Sequence, residues 1–145
     1  MKIHTIGFTK KSAEKFFGLL RASGAATLVD VRLNNVSQLA GFAKRDDLKY
    51  FLNELCGMAY AHRPDLAPTQ PMLDEYKKHG SGWETYEERF LDLMRRRGIE
   101  DSVPQDLLDN AVLLCSEDKP HHCHRRLVAE YLAQRWDSVT IEHLV

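Results

Sequence analysis

Short apolar runs alternate along this chain with longer segments whose apolar residues recur at helical spacing, and this alternation constrains the fold most strongly. The runs 25–31 (AATLVDV) and 110–115 (NAVLLC) are nearly continuous, which is typical of strands that are covered on both faces. Shorter strands are predicted at 2–8, 58–62 and 138–141. Strands separated by helices characterise parallel sheets with right-handed crossovers. The sequence therefore predicts a single α/β domain over residues 1–145, a Rossmann-like three-layer αβα fold with a mostly parallel sheet of about five strands.

Helices are predicted where apolar residues recur every three or four positions. They fall at 11–21, 45–56, 72–78, 83–97 and 120–135. Ser81 and Glu84 have the spacing of a capping box at the start of the fourth helix, and Pro120 suits the first position of the last one. The arginines at 95–97 precede Gly98, and positive charge is favoured in a last helical turn. We interpret them as a solvated helix end rather than as a nucleic-acid contact.

Composition excludes several classes of protein. The 145 residues carry 20 Lys and Arg against 21 Asp and Glu, a net charge of −1, which argues against polybasic nucleic-acid binding. No apolar run approaches the ~20 residues of a membrane-spanning helix, and the first residues do not resemble a secretory signal. Three cysteines are too few, and odd in number, for a secreted disulfide framework. We therefore expect a cytosolic protein without a membrane partner.

Polar residues recur at the carboxyl ends of the predicted strands, where open parallel sheets bind their ligands. They are Gly7, Asp30, Arg32, His62, Arg63, Cys115, Glu117 and His143. Asp30 and Arg32 point to the same side, so they suit either an ion pair or a ligand contact. Because strand ends converge on one rim of a parallel sheet, we expect these side chains to meet in a single pocket.

The densest polar cluster follows the strand at 110–115 and continues into the predicted last helix. The amides of a helix start can bind an anion, and Arg125 could grip a phosphate or carboxylate in a bidentate manner. The same amides and cationic neighbours are expected to lower the pKa of Cys123 and to favour its thiolate.

Three interpretations of this cluster remain open. In the first, Cys123 is a nucleophile or redox thiol, and Glu117 or His124 moves protons. In the second, Cys115, Cys123, His124 and Glu117 bind zinc, although Cys-x7-Cys-His is not a standard spacing. In the third, the cysteines are structural, as we expect for Cys56. A phosphatase-type loop is excluded, because neither Cys115 nor Cys123 is followed by arginine six positions later.

Several aromatic and histidine residues have a structural and a functional interpretation. Trp83 and Tyr86 could stack on a nucleobase, but their helical spacing favours core packing. Tyr60 is placed at the rim of the sheet, and His4 is interpreted as structural because it lies within the first strand.

The order of motifs resembles one bacterial and archaeal family, the domain of unknown function 488. The residues that carry the resemblance are Thr5-Ile6-Gly7, Leu28-Val29-Asp30-Val31-Arg32, Gly41-Phe42, Tyr60, Leu66, Leu114-Cys115-Ser116-Glu117 and Cys123-His124-Arg125. The resemblance implies a small α/β domain without an established reaction, in which cysteines suggest enzymatic activity. It also implies a shared polar set, which here is Asp30, Arg32, Ser37, Cys115, Glu117, Cys123, His124 and Arg125.

The sequence departs from the commoner family pattern at several positions near this set. Phe8 stands in place of a frequent histidine, Asn35 in place of proline, Gln38 in place of arginine, and 66–69 in place of Leu-Gly-Gly. These changes suggest a subfamily with a different ligand.

The favoured hypothesis is an enzyme that acts on a small phosphate-bearing or nucleotide-like ligand at the carboxyl ends of the strands. Its catalytic residues are Cys123 as thiolate, Glu117 or Asp30 in proton transfer, and Cys115. Its ligand-binding residues are Gly7, Arg32, Ser37, His124 and Arg125. The alternatives are a non-catalytic nucleotide or nucleic-acid binding module and a metal site formed by Cys115, Cys123 and His124. The sequence identifies no cofactor.

Overall fold

The sheet has five strands, and every neighbouring pair in it is parallel. The structure, a computed structural model, describes residues 1–36, 40–117 and 120–145. The strands are β1 (Lys2–Gly7), β2 (Thr27–Asp30), β3 (Ala59–His62), β4 (Ala111–Cys115) and β5 (Thr140–Leu144). Their order across the sheet is β3-β2-β4-β1-β5. The predicted α/β class, with a parallel sheet of five strands, is confirmed.

Seven α-helices connect the strands within the described part of the chain. They are α1 (Ala13–Ser23), α2 (Arg45–Phe51), α3 (Gln70–Lys77), α4 (Trp83–Arg97), α5 (Ile99–Ser102), α6 (Gln105–Leu108) and α7 (His124–Arg135). Short 3-10 turns lie at Gly41–Ala43 and Pro64–Leu66, and a π-helical segment, Leu52–Cys56, follows α2. Among the described residues, no helix has the length and apolar character that a membrane-spanning segment needs.

Two sequence predictions about helix ends are wrong, and a third is correct for only part of its residues. The helix α7 begins at His124 rather than Pro120, because Cys123 is extended (φ −139°, ψ 138°). The capping box does not form, since the Ser81 hydroxyl donates instead to the carbonyl of Glu75 (3.1 Å) and Gly82 precedes α4. The arginines at 95–97 form the last turn of α4 as predicted, and Arg95 and Arg96 are exposed. Arg97 differs, because its Nη1 donates to two backbone carbonyls of the 64–67 segment.

Alternate residues of each central strand face two separate apolar clusters, which explains the nearly continuous apolar runs. Leu113 and Cys115 of β4 face the cluster that contains α4 and α7, whereas Val112 and Leu114 face the cluster that contains α1 and α2. Helices therefore cover both faces of the sheet, and the fold has the three layers that were predicted.

The chain leaves β2 and β4 in opposite directions. From β1 it runs to β2 and then to β3 at one edge, whereas from β4 it runs to β5 at the other edge. The two strands are neighbours, and the amide of Val31 donates to the carbonyl of Leu114 (3.2 Å). In open α/β sheets the crevice at such a topological switch point is the usual ligand site.

Candidate functional site

A cavity of about 150 Å³ lies at this crevice. Segments that follow β2 and β4 form one side of it, and helices α3 and α4 form the other. Its walls include Arg32, Leu33, Asn34, Tyr76, Lys77, Trp83, Tyr86, Cys115, Ser116, Glu117, His122, Cys123 and His124. The cavity thus combines sulfur, imidazole and guanidinium groups with aromatic rings.

Cys115 and His124 form a thiol–imidazole pair whose geometry identifies the tautomer of the ring. Nε2 of His124 lies 2.7 Å from the carbonyl oxygen of Val31, and a carbonyl oxygen can only accept. Nε2 therefore carries a hydrogen. Nδ1, which lies 3.4 Å from the Cys115 sulfur, either accepts the thiol hydrogen or donates to the thiolate as part of an imidazolium. A nucleophile beside a base that a third group orients is the arrangement of covalent catalysis.

The two buried cysteines have opposite pKa shifts. Burial by itself would raise the pKa of the Cys115 thiol, but a hydrogen bond from Cys123, the charge of Arg125 and the amide of Ser116 together lower it below its usual value. For Cys123, burial raises the pKa strongly, and the hydrogen bond that it donates to Cys115 raises it further. The predicted lowering of the Cys123 pKa is therefore wrong in direction, because this residue is 2% exposed and precedes the helix. The geometry favours Cys115 as the thiolate.

Asp30 positions Arg32 through an ion pair. Its oxygens accept from Nε and Nη2 of Arg32 (2.8 Å each), and Oδ2 also accepts from the hydroxyl of Tyr60 (2.6 Å). Burial, followed by the neighbouring carboxylate, raises the pKa of Tyr60, which keeps its hydroxyl a donor. Because Asp30 is fully buried and does not line the cavity, its place in the site is to hold Arg32 rather than to contact a ligand.

Arg32 presents a buried donor that no described residue satisfies. Its side chain is 2% exposed and lines the cavity, and Nη1 has no hydrogen-bond partner among the described residues. An unsatisfied buried donor costs about 1–3 kcal/mol, so an anion that accepts from Nη1 would be favoured there. Two residues that depart from the commoner family pattern lie next to Arg32 or its partners. The ring of Phe8 lies 5.5 Å from the guanidinium carbon of Arg32, and Asn35 donates to the hydroxyl of Tyr60 (3.1 Å).

Arg125 and Gly7 support the loop after β4 instead of facing the cavity. Arg125 is fully buried, and its Nη1 donates to the backbone carbonyl of Glu117 (2.5 Å) while Nε donates to the hydroxyl of Thr5 (3.4 Å). A Cβ on Gly7 would lie 1.5 Å from the same carbonyl oxygen of Glu117. Neither residue is among those that line the cavity. Both residues contact the backbone of the loop that follows Cys115, and their ligand contacts stay a prediction.

The mouth of the cavity carries a charged pair and an aromatic wall. Lys77 Nζ lies 2.9 Å from Oε1 of Glu117, and both side chains are about half exposed. The ring of Trp83 stacks on Tyr86 (5.2 Å between ring centres) and on His122 (4.9 Å). The sequence indicated Trp83 and Tyr86 as a possible stacking surface. It contained no signal for Lys77 at the mouth or for the stacking of His122 on Trp83.

The remaining described residues of the predicted rim lie at or near the strand ends. Ser37 and Gln38 fall outside the described residues. His62 Nε2 lies 2.9 Å from the carbonyl oxygen of Arg32, and Arg63 pairs with Asp65. His143 Nδ1 lies 2.5 Å from the hydroxyl of Thr5 in β1. These residues support the strand ends and do not line the cavity.

Three buried donor atoms in the cavity have the types that zinc prefers. One ligand atom each from Cys115, Cys123 and His124 lies within 4.8 Å of the others. Thiolate sulfur and imidazole nitrogen bind Zn²⁺, and a ligating histidine usually donates its other ring N–H to a carbonyl or carboxylate. His124 makes such a contact with Val31, so this cluster could hold a metal ion.

A doubly wound α/β protein with a thiol–imidazole pair at its switch point is the class that this fold and site define. The chain belongs to the family described as Domain of unknown function DUF488, whose model matches residues 12–132. Searches of the curated proteins and of the solved structures returned no match. The family membership agrees with the resemblance found in the sequence and assigns no reaction.

Proposed function

We propose that the cavity is the active site of an enzyme that binds a small anionic, phosphate-bearing or nucleotide-like ligand and attacks it with the Cys115 thiolate. The observation that carries this proposal is the buried Nη1 of Arg32, which lacks a partner among the described residues and belongs to the wall of the cavity that contains Cys115. A buried guanidinium held by a carboxylate is preorganised to accept a phosphate or carboxylate oxygen.

The thiolate and the imidazolium supply the chemistry of a nucleophilic displacement. The electron pair of the Cys115 sulfur forms a bond to the electrophilic phosphorus or carbon of the ligand, and the bond to the leaving group breaks. The leaving group departs with its electron pair and takes the proton from Nδ1 of His124, which lies 3.4 Å from the sulfur. Water then cleaves the covalent intermediate and returns a proton to Nδ1.

The aromatic wall favours a ligand with a planar ring. The rings of Tyr76, Trp83, Tyr86 and His122 are in contact with one another along one side of the cavity. Because every nucleobase has a π-face, such a surface binds bases by stacking. An anionic group on Arg32 and a ring on this wall place the scissile bond of a nucleotide-like ligand near Cys115.

The reactivity of Cys115 toward a charged and a neutral alkylating agent tests the thiolate and the anion site together. Iodoacetate carries a carboxylate that Arg32 should bind, whereas iodoacetamide does not. We expect Cys115 to be alkylated before Cys123, with a half-maximal rate below pH ~8.5, the usual cysteine pKa. In Arg32→Lys the ratio of the iodoacetate rate to the iodoacetamide rate should fall roughly tenfold, the equivalent of ~1.4 kcal/mol. Peptide mass spectrometry measures each rate.

Lys77→Gln is the matched control, since it removes an exposed positive charge at the mouth without removing a buried donor. Its rate ratio should stay within about twofold of the unmodified protein, because exposed charges are strongly screened. A Cys115 that reacts with neither reagent would remove the thiolate from the mechanism. An unchanged ratio in Arg32→Lys would remove the anion site.

A metal centre is the second candidate, and the convergence of Cys115, Cys123 and His124 within 4.8 Å favours it. Under this candidate, protein purified without an affinity tag contains about one equivalent of zinc per chain, as three protein ligands and one open position would bind it. Cys115→Ala should abolish the metal content, and Cys56→Ala should leave it unchanged. Elemental analysis decides: protein free of transition metal dismisses this candidate and leaves the thiol enzyme.

A further inference from the structure

The nucleophilic step uses Cys115 and leaves Cys123 without a chemical task, although the two thiols are in contact. The sulfur atoms of Cys115 and Cys123 lie within 4.8 Å of each other. Both residues also line the cavity. A second sulfur in contact with a reactive one is the arrangement in which a disulfide can form.

The third cysteine lies on the other side of the sheet. Cys56 packs with Phe17 in the cluster that contains α1, and its thiol points to the carbonyl of Phe17 (3.7 Å). Cys115 and Cys123 belong to the opposite cluster. The sheet therefore separates Cys56 from the other two. All three cysteines are free thiols, and Cys115 and Cys123 are the pair from which an intramolecular disulfide could form in the folded protein.

We propose that Cys115 and Cys123 form a dithiol–disulfide couple that reduces hydroperoxides and is regenerated by an external dithiol. The proposal rests on the same reactive Cys115 as the proposed function, but it adds a second substrate class and a chemical task for Cys123.

Peroxide reduction by this couple takes two chemical steps. The Cys115 thiolate attacks the terminal oxygen of the hydroperoxide, the O–O bond breaks, and the departing alkoxide takes the proton from Nδ1 of His124, which gives an alcohol and a sulfenic acid. Cys123 then passes its proton to Nδ1 and attacks the Cys115 sulfur. The S–O bond breaks, and the hydroxide takes that proton and leaves as water. Both thiols are oxidised by one electron each, and the peroxide is reduced by two. Exchange with an external dithiol restores both thiols.

The surroundings of the pair permit both steps. The cavity of about 150 Å³ exceeds the ~30 Å³ share of a water molecule in the liquid, so a small hydroperoxide fits beside Cys115. Cys123 is extended and precedes α7, so its sulfur can approach Cys115 by side-chain rotation without unwinding the helix.

Titration of thiols after treatment with hydrogen peroxide tests the proposal on the metal-free chain of 145 residues. We expect peroxide to remove the thiols of Cys115 and Cys123 and to leave Cys56 reactive, with a Cys115–Cys123 disulfide in the peptide map. Dithiothreitol should restore both thiols. Repeated additions of peroxide should be consumed only while dithiothreitol is present. In Cys123→Ser, which keeps a hydroxyl donor at the same place, dimedone should label Cys115 as sulfenic acid. Cys56→Ser should behave as the unmodified protein.

The outcomes separate this inference from the proposed function. If peroxide leaves Cys115 and Cys123 as free thiols while iodoacetate still alkylates Cys115, the redox couple is refuted and the nucleophile stands. If peroxide oxidises Cys115 without a disulfide to Cys123 in the unmodified protein, the assigned role of Cys123 is refuted. If Cys115 is inert toward both reagents, the inference and the proposed function fail together.

Discussion

Gly7→Ala is expected to destabilise the protein by about 3 kcal/mol or more, because the new methyl group has no space. A Cβ at this position would lie 1.5 Å from the carbonyl oxygen of Glu117 and 2.7 Å from Nη1 of Arg125. The first of these atoms belongs to the backbone, so the loop after β4 would have to move. Overpacking against a rigid neighbour costs about 1–3 kcal/mol and sometimes more, and backbone displacement places this case at the upper end. Urea unfolding measures the loss.

Gly18→Ala is the matched control in the same half of the chain. Gly18 lies inside α1, is exposed, and has nothing within 4 Å of the place that an added methyl group would take. Alanine is a better helix former than glycine by roughly 1 kcal/mol, so this variant should be slightly more stable than the unmodified protein. Equal unfolding midpoints for the two variants would contradict the close packing of Gly7 against the loop.

Asp30→Ala is expected to cost about 3–5 kcal/mol, since it leaves the Arg32 guanidinium buried without its counter-charge. Asp30 is fully buried and accepts from Nε, Nη2 and the amide of Arg32 and from Tyr60. All four contacts disappear with the carboxylate. Denaturant unfolding gives the stability change, and the iodoacetate-to-iodoacetamide rate ratio should fall as well because Arg32 loses its orientation.

Asp92→Ala removes an exposed carboxylate instead of a buried one and serves as the control for Asp30→Ala. Asp92 pairs with Arg95 and Arg96 on the exposed face of α4, and exposed pairs contribute at most about 1 kcal/mol. Its unfolding midpoint and its alkylation ratio should remain close to those of the unmodified protein. A loss of stability in Asp30→Ala no greater than in Asp92→Ala would mean that the Asp30–Arg32 pair does not organise the site.

The sheet was predictable because its residues follow local rules. The apolar runs that became β2 and β4 are covered on both faces, and the glycines after α1 and α4 take the left-handed conformation that ends a helix. The meeting of Arg32 and Cys115 in one cavity followed from the geometry of parallel strands alone. These parts of the prediction required no knowledge of contacts between distant segments.

The parts that failed depend on such contacts. Pro120 has the local properties of a helix start, yet the helix begins at His124, where the extended Cys123 lies against Cys115. The choice of thiolate was likewise inaccessible, since it depends on which sulfur donates and on the buried charge of Arg125. Local sequence cannot reveal that Arg125 contacts the backbone of Glu117.

The position of β4 between β1 and β2 also determines when the protein can fold during its synthesis. β1 and β2 are not neighbours in the sheet, so they do not pair with each other in the native arrangement. β2 can pair with β3 once residues 59–62 have been synthesised, whereas β1 must wait for β4 and β5, and its apolar side chains remain exposed to chaperones and to aggregation until then. The arrangement that creates the crevice thus delays completion of the sheet until β4 has been synthesised.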